Sequence, residues 1–286
     1  MAVRTGTTST STLGERIGSI FSQIMLIILM LLTFFPFVML INMSLKANIR
    51  IKQAFFALPN PIKWANYTNA LEFIKQPVLN SLFVCGVSLV LILIMVSMSG
   101  YAFGRMQFKG KEFLFTLLLA VLMIPYTLLI IPNYRIIARM GLLNNYLALI
   151  LPYIGGQQIF GIVLARAYYA SLPKDFFEAA KLDGADELQA YLRIALPLSF
   201  PTLITVGITV VVAMYNDYIW PTLVMTTNDK MKTFCQIVFN NAAGNGAPDL
   251  GLLAASFVLG TLPLLIITVP LLRYYTQGLL GGAIKG

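Results

Sequence analysis

The chain has 286 residues, of which 58% are hydrophobic and only 11% charged, with a mean hydropathy of +0.80. This composition excludes an ordinary soluble domain and identifies an integral membrane protein. The net charge of +9 comes without a basic cluster interleaved with aromatics, so it suits anionic lipid headgroups rather than nucleic acid. With no histidine, the commonest general base and metal ligand are both missing.

No Gly-x-x-x-x-Gly-Lys-Ser/Thr phosphate loop occurs, so if ATP is used another chain must hydrolyse it. Cys85 falls in an apolar run and Cys235 in a polar loop, an arrangement that does not suggest a disulfide.

Taken in order, residues 1–12 are rich in Ser and Thr and read as a mobile tail. Gly18 to Ile41 is a continuous apolar run, too long for a signal-peptide core and without an Ala-x-Ala site; it predicts a first span with Pro36 as a kink. Lys46 to Pro77 is mixed and polar, an extramembrane loop with turn and interface residues at Leu58 to Pro61 and Trp64 to Tyr67. A second span runs from Val78 to Phe103, and Gly100 and Gly104 at its end have the spacing that lets two membrane helices touch backbone to backbone, or that simply packs tightly.

Phe113 to Pro132 predicts the third span and Asn145 to Ala165 the fourth. Pro125 and Pro152 each free a carbonyl inside an apolar run, which implies either a kink shielded by neighbours or a wet path.

Pro173 to Pro197 differs from everything around it, with eight of the 31 charged residues: Lys174, Asp175, Glu178, Lys181, Asp183, Asp186, Glu187 and Arg193. Each charge at a bilayer centre costs roughly 2.5 to 3.5 kcal/mol, so eight would cost on the order of 20 kcal/mol. The segment must lie in water. Asp175 and Glu178 favour a helix first turn and Gly184 its end. Asp186 and Glu187 then open a second short helix with Leu188, Tyr191, Leu192 and Ala195 on one face, which Pro197 closes.

Phe200 to Met214 opens a fifth span that meets Tyr215-Asn216-Asp217-Tyr218-Ile219-Trp220-Pro221. Asp217 is the one carboxylate in a predicted span. It either lines a pathway or sits hydrated at headgroup level beside a Trp220 anchor. Asp229 to Pro248 reads as a flexible polar loop, Leu250 to Leu272 as the sixth span, and Arg273 to Gly286 as a Gly-rich basic tail. With the amino terminus inside, Lys and Arg divide eleven inside to nine outside, a faint positive-inside preference.

Glu178-Ala179-Ala180, Gly184, Ile194 and Leu196-Pro197 resemble, in kind and spacing, the Glu-Ala-Ala coupling loop of the membrane subunits of ABC importers. The likeness extends to Asn66-Tyr67, Asn80-Ser81, Gly100 to Arg105 with Gly110, Ile124-Pro125, Ile131-Pro132, Asn216 to Pro221, and Gly278-Leu279 with Gly282 to Gly286. Together these are similar to the smaller membrane subunit of maltose-type carbohydrate importers. Tyr215 departs from the pattern, standing where many relatives carry Trp.

The resemblance implies an all-α membrane protein of the type I importer permease fold, a single permease domain over residues 1–286 with six spans and a cytoplasmic coupling helix-turn-helix between the fourth and fifth. It implies a bacterial or archaeal cell-membrane protein with both termini cytoplasmic. Glu178, Ala179, Ala180, Asp183 and Gly184 become the ATPase-coupling residues, and Asn133, Tyr215, Asn216 and Asp217 the candidate substrate pathway.

The implied partners are a second permease, two ATP-binding subunits that hold ATP and Mg, and an extracytoplasmic sugar-binding protein. That protein touches the loop at 222–249, and the tail ending at Gly286 approaches the ATP-binding subunits. The chain itself takes no cofactor and no metal and is not an enzyme. The rival reading, a stand-alone transporter driven by an ion gradient, calls for intramembrane ionisable groups, of which Asp217 is the sole example.

Overall fold

A computed structural model describes residues 13–243 and 248–283, and among these the secondary structure is wholly helical. The expected mobile tail of residues 1–12, the Gly244 to Gly246 stretch and the extreme carboxyl terminus lie outside the described residues.

Helix α1 (Leu13–Ser44) carries Pro36 within it, and its side chains from Gly18 to Val38 are exposed in the isolated chain. An apolar helix with no cover of its own must face lipid or another chain. After the short α2 (Asn48–Gln53), α3 runs unbroken from Ala65 to Gly104, 40 residues, or about 60 Å at 1.5 Å per residue. The polar loop expected up to Pro77 therefore ends thirteen residues early, because Asn66, Ala70 and Ile74 form a buried stripe that holds the polar first turns in the fold.

The predicted third span is instead two helices, α4 (Lys111–Leu122) and α5 (Tyr126–Arg139), meeting at 98°. Pro125 sits at the joint in an extended conformation, with no N–H to continue the helix. Helix α6 (Leu147–Ser171) continues unbroken past Pro152. Helix α7 (Asp175–Leu182) and α8 (Glu187–Ala190) form the charged hairpin; a π turn (Tyr191–Ala195) and α9 (Leu196–Leu198) continue it.

Pro197 thus does not end the helix. The amide of Leu196 reaches back to the carbonyl of Tyr191, and this wider turn relieves the clash a proline makes with the carbonyl four residues before it. The chain breaks two residues later, at Ser199, and bends by 69° into α10 (Phe200–Tyr215).

Helix α11 (Ile219–Val224) follows, then α12 (Phe234–Ala243) and α13 (Leu250–Ala283). Helix α12 occupies part of the predicted flexible loop because Phe234 and Val238, one turn apart, are 1% and 0% exposed in the core. Helix α13 also absorbs most of the predicted tail. Among the described residues four helices are long and apolar enough to cross a bilayer alone, and up to six crossings result when each bent pair counts as one.

The core forms where α3 lies along α6, with α10 and α13 closing it. A Cβ added at Gly100 would run into Ala165, one at Gly104 would meet Tyr169 Cβ at 2.8 Å, and one at Gly161 would meet Val96 Cγ2 at 2.7 Å. The spaced glycines are therefore a backbone-contact seam.

At the opposite end from the hairpin, two asparagines tie the loops down. Asn66 Nδ2 donates to the carbonyls of Ser44 (2.9 Å) and Lys46 (2.8 Å). Asn80 Nδ2 donates to those of Lys230 and Lys232, both at 2.8 Å. Asn66 is 1% exposed, so the Asn-Tyr-Thr triplet it begins offers no accessible amide.

Candidate functional site

Two places combine polar chemistry with an apolar frame. The first is the hairpin. Asp175 and Glu178 occupy the first turn of α7, where carboxylates favour the positive end of the helix dipole. The helix ends in two backbone bonds, Gly184 N to Lys181 O (3.1 Å) and Ala185 N to Ala180 O (2.9 Å), around Gly184 at φ +81°. This is the Schellman arrangement, and it needs a left-handed residue at that position. Asp186 then caps α8, its Oδ1 accepting from Gln189 N at 2.7 Å while Gln189 Oε1 accepts from Asp186 N at 3.4 Å.

Glu178, Ala179, Asp183 and Gly184 all face out, and Ala180 is half-buried. Beside them Leu182 is 90% exposed, Leu188 62% and Phe176 50%. Large apolar side chains rimmed by charge thus stand exposed on a segment too polar for lipid. The expected apolar face divides here: Tyr191 and Ala195 are buried, while Leu188 and Leu192 remain exposed. The π turn shifts the register of the helix, so residues that would share one α-helical face separate.

The inner side of the hairpin is anchored. Tyr101 Oη donates to Glu187 Oε1 at 2.7 Å, Arg105 donates to the carbonyl of Leu172 at 3.2 Å, and its guanidinium lies 4.0 Å over the Phe177 ring. Tyr101 and Arg105 belong to the Gly100 to Arg105 run, so that run contributes both the α3–α6 seam and the hairpin's fastening.

The second place is a cleft of about 620 Å³ where the α4–α5 break faces the α10–α11 break. Its wall carries Tyr126, Tyr153, Gln157, Asn216, Asp217 and Tyr218 among apolar side chains. Asp217 is half-buried and fully engaged. Oδ1 accepts the amides of Ile219 (3.0 Å) and Trp220 (3.3 Å), and Oδ2 accepts the hydroxyl of Tyr153 at 2.9 Å. It starts α11 and braces it to α6.

Trp220 is not an interface anchor. It is 0% exposed, with Nε1 donating to Ala148 O at 2.9 Å. Tyr215 does not line the cleft either; its ring is buried against Phe234 and its hydroxyl donates to the carbonyl of Gly260. Asn133 lies on an adjoining cleft of about 350 Å³ that shares Tyr126, Pro152 and Gly156 with the first.

The structure thus unites Asn216 and Asp217, sets Asn133 next door and removes Tyr215. Sequence reasoning missed Tyr126, Tyr153 and Gln157. Tyr153 and Gln157 are one helical turn apart on α6, a signal hidden in an apolar run.

Comparison with known proteins accounts for this geometry. The family described as "Binding-protein-dependent transport system inner membrane component" matches residues 97–281, a region containing the glycine seam, the hairpin and the cleft. Among curated relatives, the arabinooligosaccharides transport system permease protein AraQ of Halalkalibacterium halodurans is 33% identical over 72% of this chain and 73% of its own. The lactose transport system permease protein LacG of Rhizobium radiobacter is 29% identical over 95% of this chain and 98% of its own. The trehalose/maltose transport system permease protein MalG of Thermococcus litoralis is 27% identical over 91% and 94%.

A crystal structure of a bacterial ABC transporter involved in the import of the acidic polysaccharide alginate contains a chain of the same fold, with TM-score 0.82 at 21% identity over 94% of this chain and 100% of that one. The chain belongs to the family of inner membrane components of binding-protein-dependent transport systems.

Proposed function

We propose that this chain is the permease subunit of an ATP-driven importer that moves a sugar or oligosaccharide across the cell membrane by alternating access. The observation that carries the reading is the water-facing hairpin, with Gly184 at φ +81° holding Leu182 and Glu178 outward. ATP-binding subunits, which supply ATP and Mg chemistry this chain lacks, grip that hairpin from the cytoplasm, where both termini also lie. Glu178 and Asp183 provide charge for the grip, and Ala179 and Ala180 allow close approach.

A second permease completes the pathway. An extracytoplasmic binding protein delivers the sugar near residues 222–249, and the tail ending at Gly286 extends toward the ATP-binding subunits. The sugar class follows from the relatives' own transport of arabinooligosaccharides, lactose and trehalose or maltose. It also suits a cleft walled by tyrosines and uncharged amides, with Asn216 and Asp217 on it and Asn133 beside it. No observation favours a gradient-driven carrier.

The test is reconstitution of the chain with its partner permease, ATP-binding subunits and binding protein in liposomes. Sugar uptake that requires both ATP and the binding protein is the expected result. Uptake by this chain alone, driven by an ion gradient, would refute the reading.

A further inference from the structure

Four buried hydroxyls join the hairpin to the membrane helices: Ser97 on α3, Tyr169 on α6, Tyr191 on the π turn and Ser199 at the 69° bend, 2%, 0%, 9% and 1% exposed. Ser199 Oγ gives its single hydrogen to the carbonyl of Leu196 at 2.8 Å. The neighbouring Tyr169 Oη, 2.9 Å away, must then donate to Ser199. With that hydrogen spent, Ser97 donates to Tyr169 at 2.9 Å, and Tyr191 to Ser97 at 2.8 Å.

The result is a one-directional chain from Tyr191 through α3 and α6 back to Leu196, five residues further along the segment where it started. It spans a π turn, a rare kind of helical turn that is frequent at functional sites and a known place for a helix to kink. A push on the hairpin would otherwise be absorbed there by rewinding.

We propose that this hydroxyl chain is a rigid joint. It locks the π turn to α3 and α6 so that movement of the hairpin becomes movement of α3, α6 and α10, and Ser97, Tyr169, Tyr191 and Ser199 are positioning residues for transport. The proposal rests on the ATP-driven reading above for what the movement accomplishes, but the rigidity itself can be measured without it. Removing one hydroxyl leaves a buried donor or acceptor unmatched and interrupts a chain whose bonds polarise one another.

The experiment uses the assembled transporter with Ser97→Ala and with Tyr169→Phe. Ser97→Ala keeps a good helix former and so remains informative if Tyr169→Phe fails to assemble. Sugar molecules imported per ATP hydrolysed should fall about fivefold, the factor matching the loss of one buried hydrogen bond, while ATP hydrolysis persists. In parallel, spin labels at the exposed positions Lys181→Cys and Leu147→Cys, in a Cys85→Ala, Cys235→Ala background, report the hairpin-to-α6 distance without nucleotide or sugar. The distance distribution should broaden in both variants.

A wild-type distribution in either variant overturns the joint, whatever happens to transport. A wild-type import ratio overturns its role in transport. If the unmutated transporter imports nothing with ATP, the import reading fails while the distance distribution still decides the joint.

Discussion

Gly184 gives the sharpest mutational test because its environment separates backbone strain from crowding. A Cβ built there meets no atom within 4 Å of its own chain, yet φ is +81°, so the whole intramolecular effect of substitution is conformational. An L-residue in the left-handed region costs about 1 to 2 kcal/mol, partly offset by about 0.4 to 1 kcal/mol from a stiffer unfolded chain, leaving Gly184→Ala a net cost of about 0.5 to 1 kcal/mol. A β-branched Val should lose about 2 kcal/mol, and Asn, which tolerates the left-handed region, a few tenths.

At 1.4 kcal/mol per factor of ten, Val reduces the closed hairpin end roughly thirtyfold. Reconstituted uptake and hydrogen exchange at the amide of Ala185 should therefore rank Gly and Asn above Ala, and Ala above Val, with the complex still assembled. If Asn proved as damaging as Val, side-chain bulk against a partner and not backbone geometry would be the cause. Wild-type uptake and exchange in the Val variant would show that the left-handed conformation at residue 184 carries no cost.

The glycine seam predicts that Gly100→Leu or Gly104→Val forces α3 off α6 at Ala165 and Tyr169, costing about 1 to 3 kcal/mol or more; a melting temperature equal to wild type would show the seam can yield. Asp217→Ala should lose about 1 to 2 kcal/mol with the cap of α11. Asp217→Asn keeps an acceptor for the amides of Ile219 and Trp220 and should lose little, so equal melting of the two variants would count against the capping role. Asn80→Ala removes the ties to Lys230 and Lys232, worth about 1 kcal/mol each. Exchange should rise across residues 229–234 but not across the hairpin, and a rise in both would contradict the separation of the two ends.

What the sequence could show was set by how local the physics was. The hairpin was legible because its signals are written within a few residues: carboxylates in a first turn, Gly184 after the last turn, and Asp186 opening the next helix. The 98° break at Pro125 was not. Apolar residues flank it on both sides, and hydropathy alone does not separate a span from two half-spans. Pro197 misled because a π turn upstream accommodates it.

Helix α12 was hidden by Asn240, Asn241 and the glycines that follow, although Phe234 and Val238 decide its placement. Trp220 read as an amphipathic anchor, yet its indole N–H finds a carbonyl on α6. The Tyr153–Asp217 bond and the hydroxyl chain through Ser97 and Tyr169 join residues 64 or more positions apart along the sequence, except for the Tyr169–Ser199 step at 30 and the closing Ser199–Leu196 step at 3. Such contacts leave no mark in local periodicity.

On the proposed function, the hairpin is where a nucleotide-driven partner takes hold from inside the cell. Leu182, 90% exposed, is the residue to place a cross-linker on, as Leu182→Cys, in sealed vesicles of known orientation carrying the assembled transporter. Capture of an ATP-binding subunit, at a yield that changes when ATP is added and with labelling only from the cytoplasmic face, is the predicted result. Labelling from the outer face, or an assembled complex in which Leu182→Cys reaches no ATP-binding subunit, would contradict it.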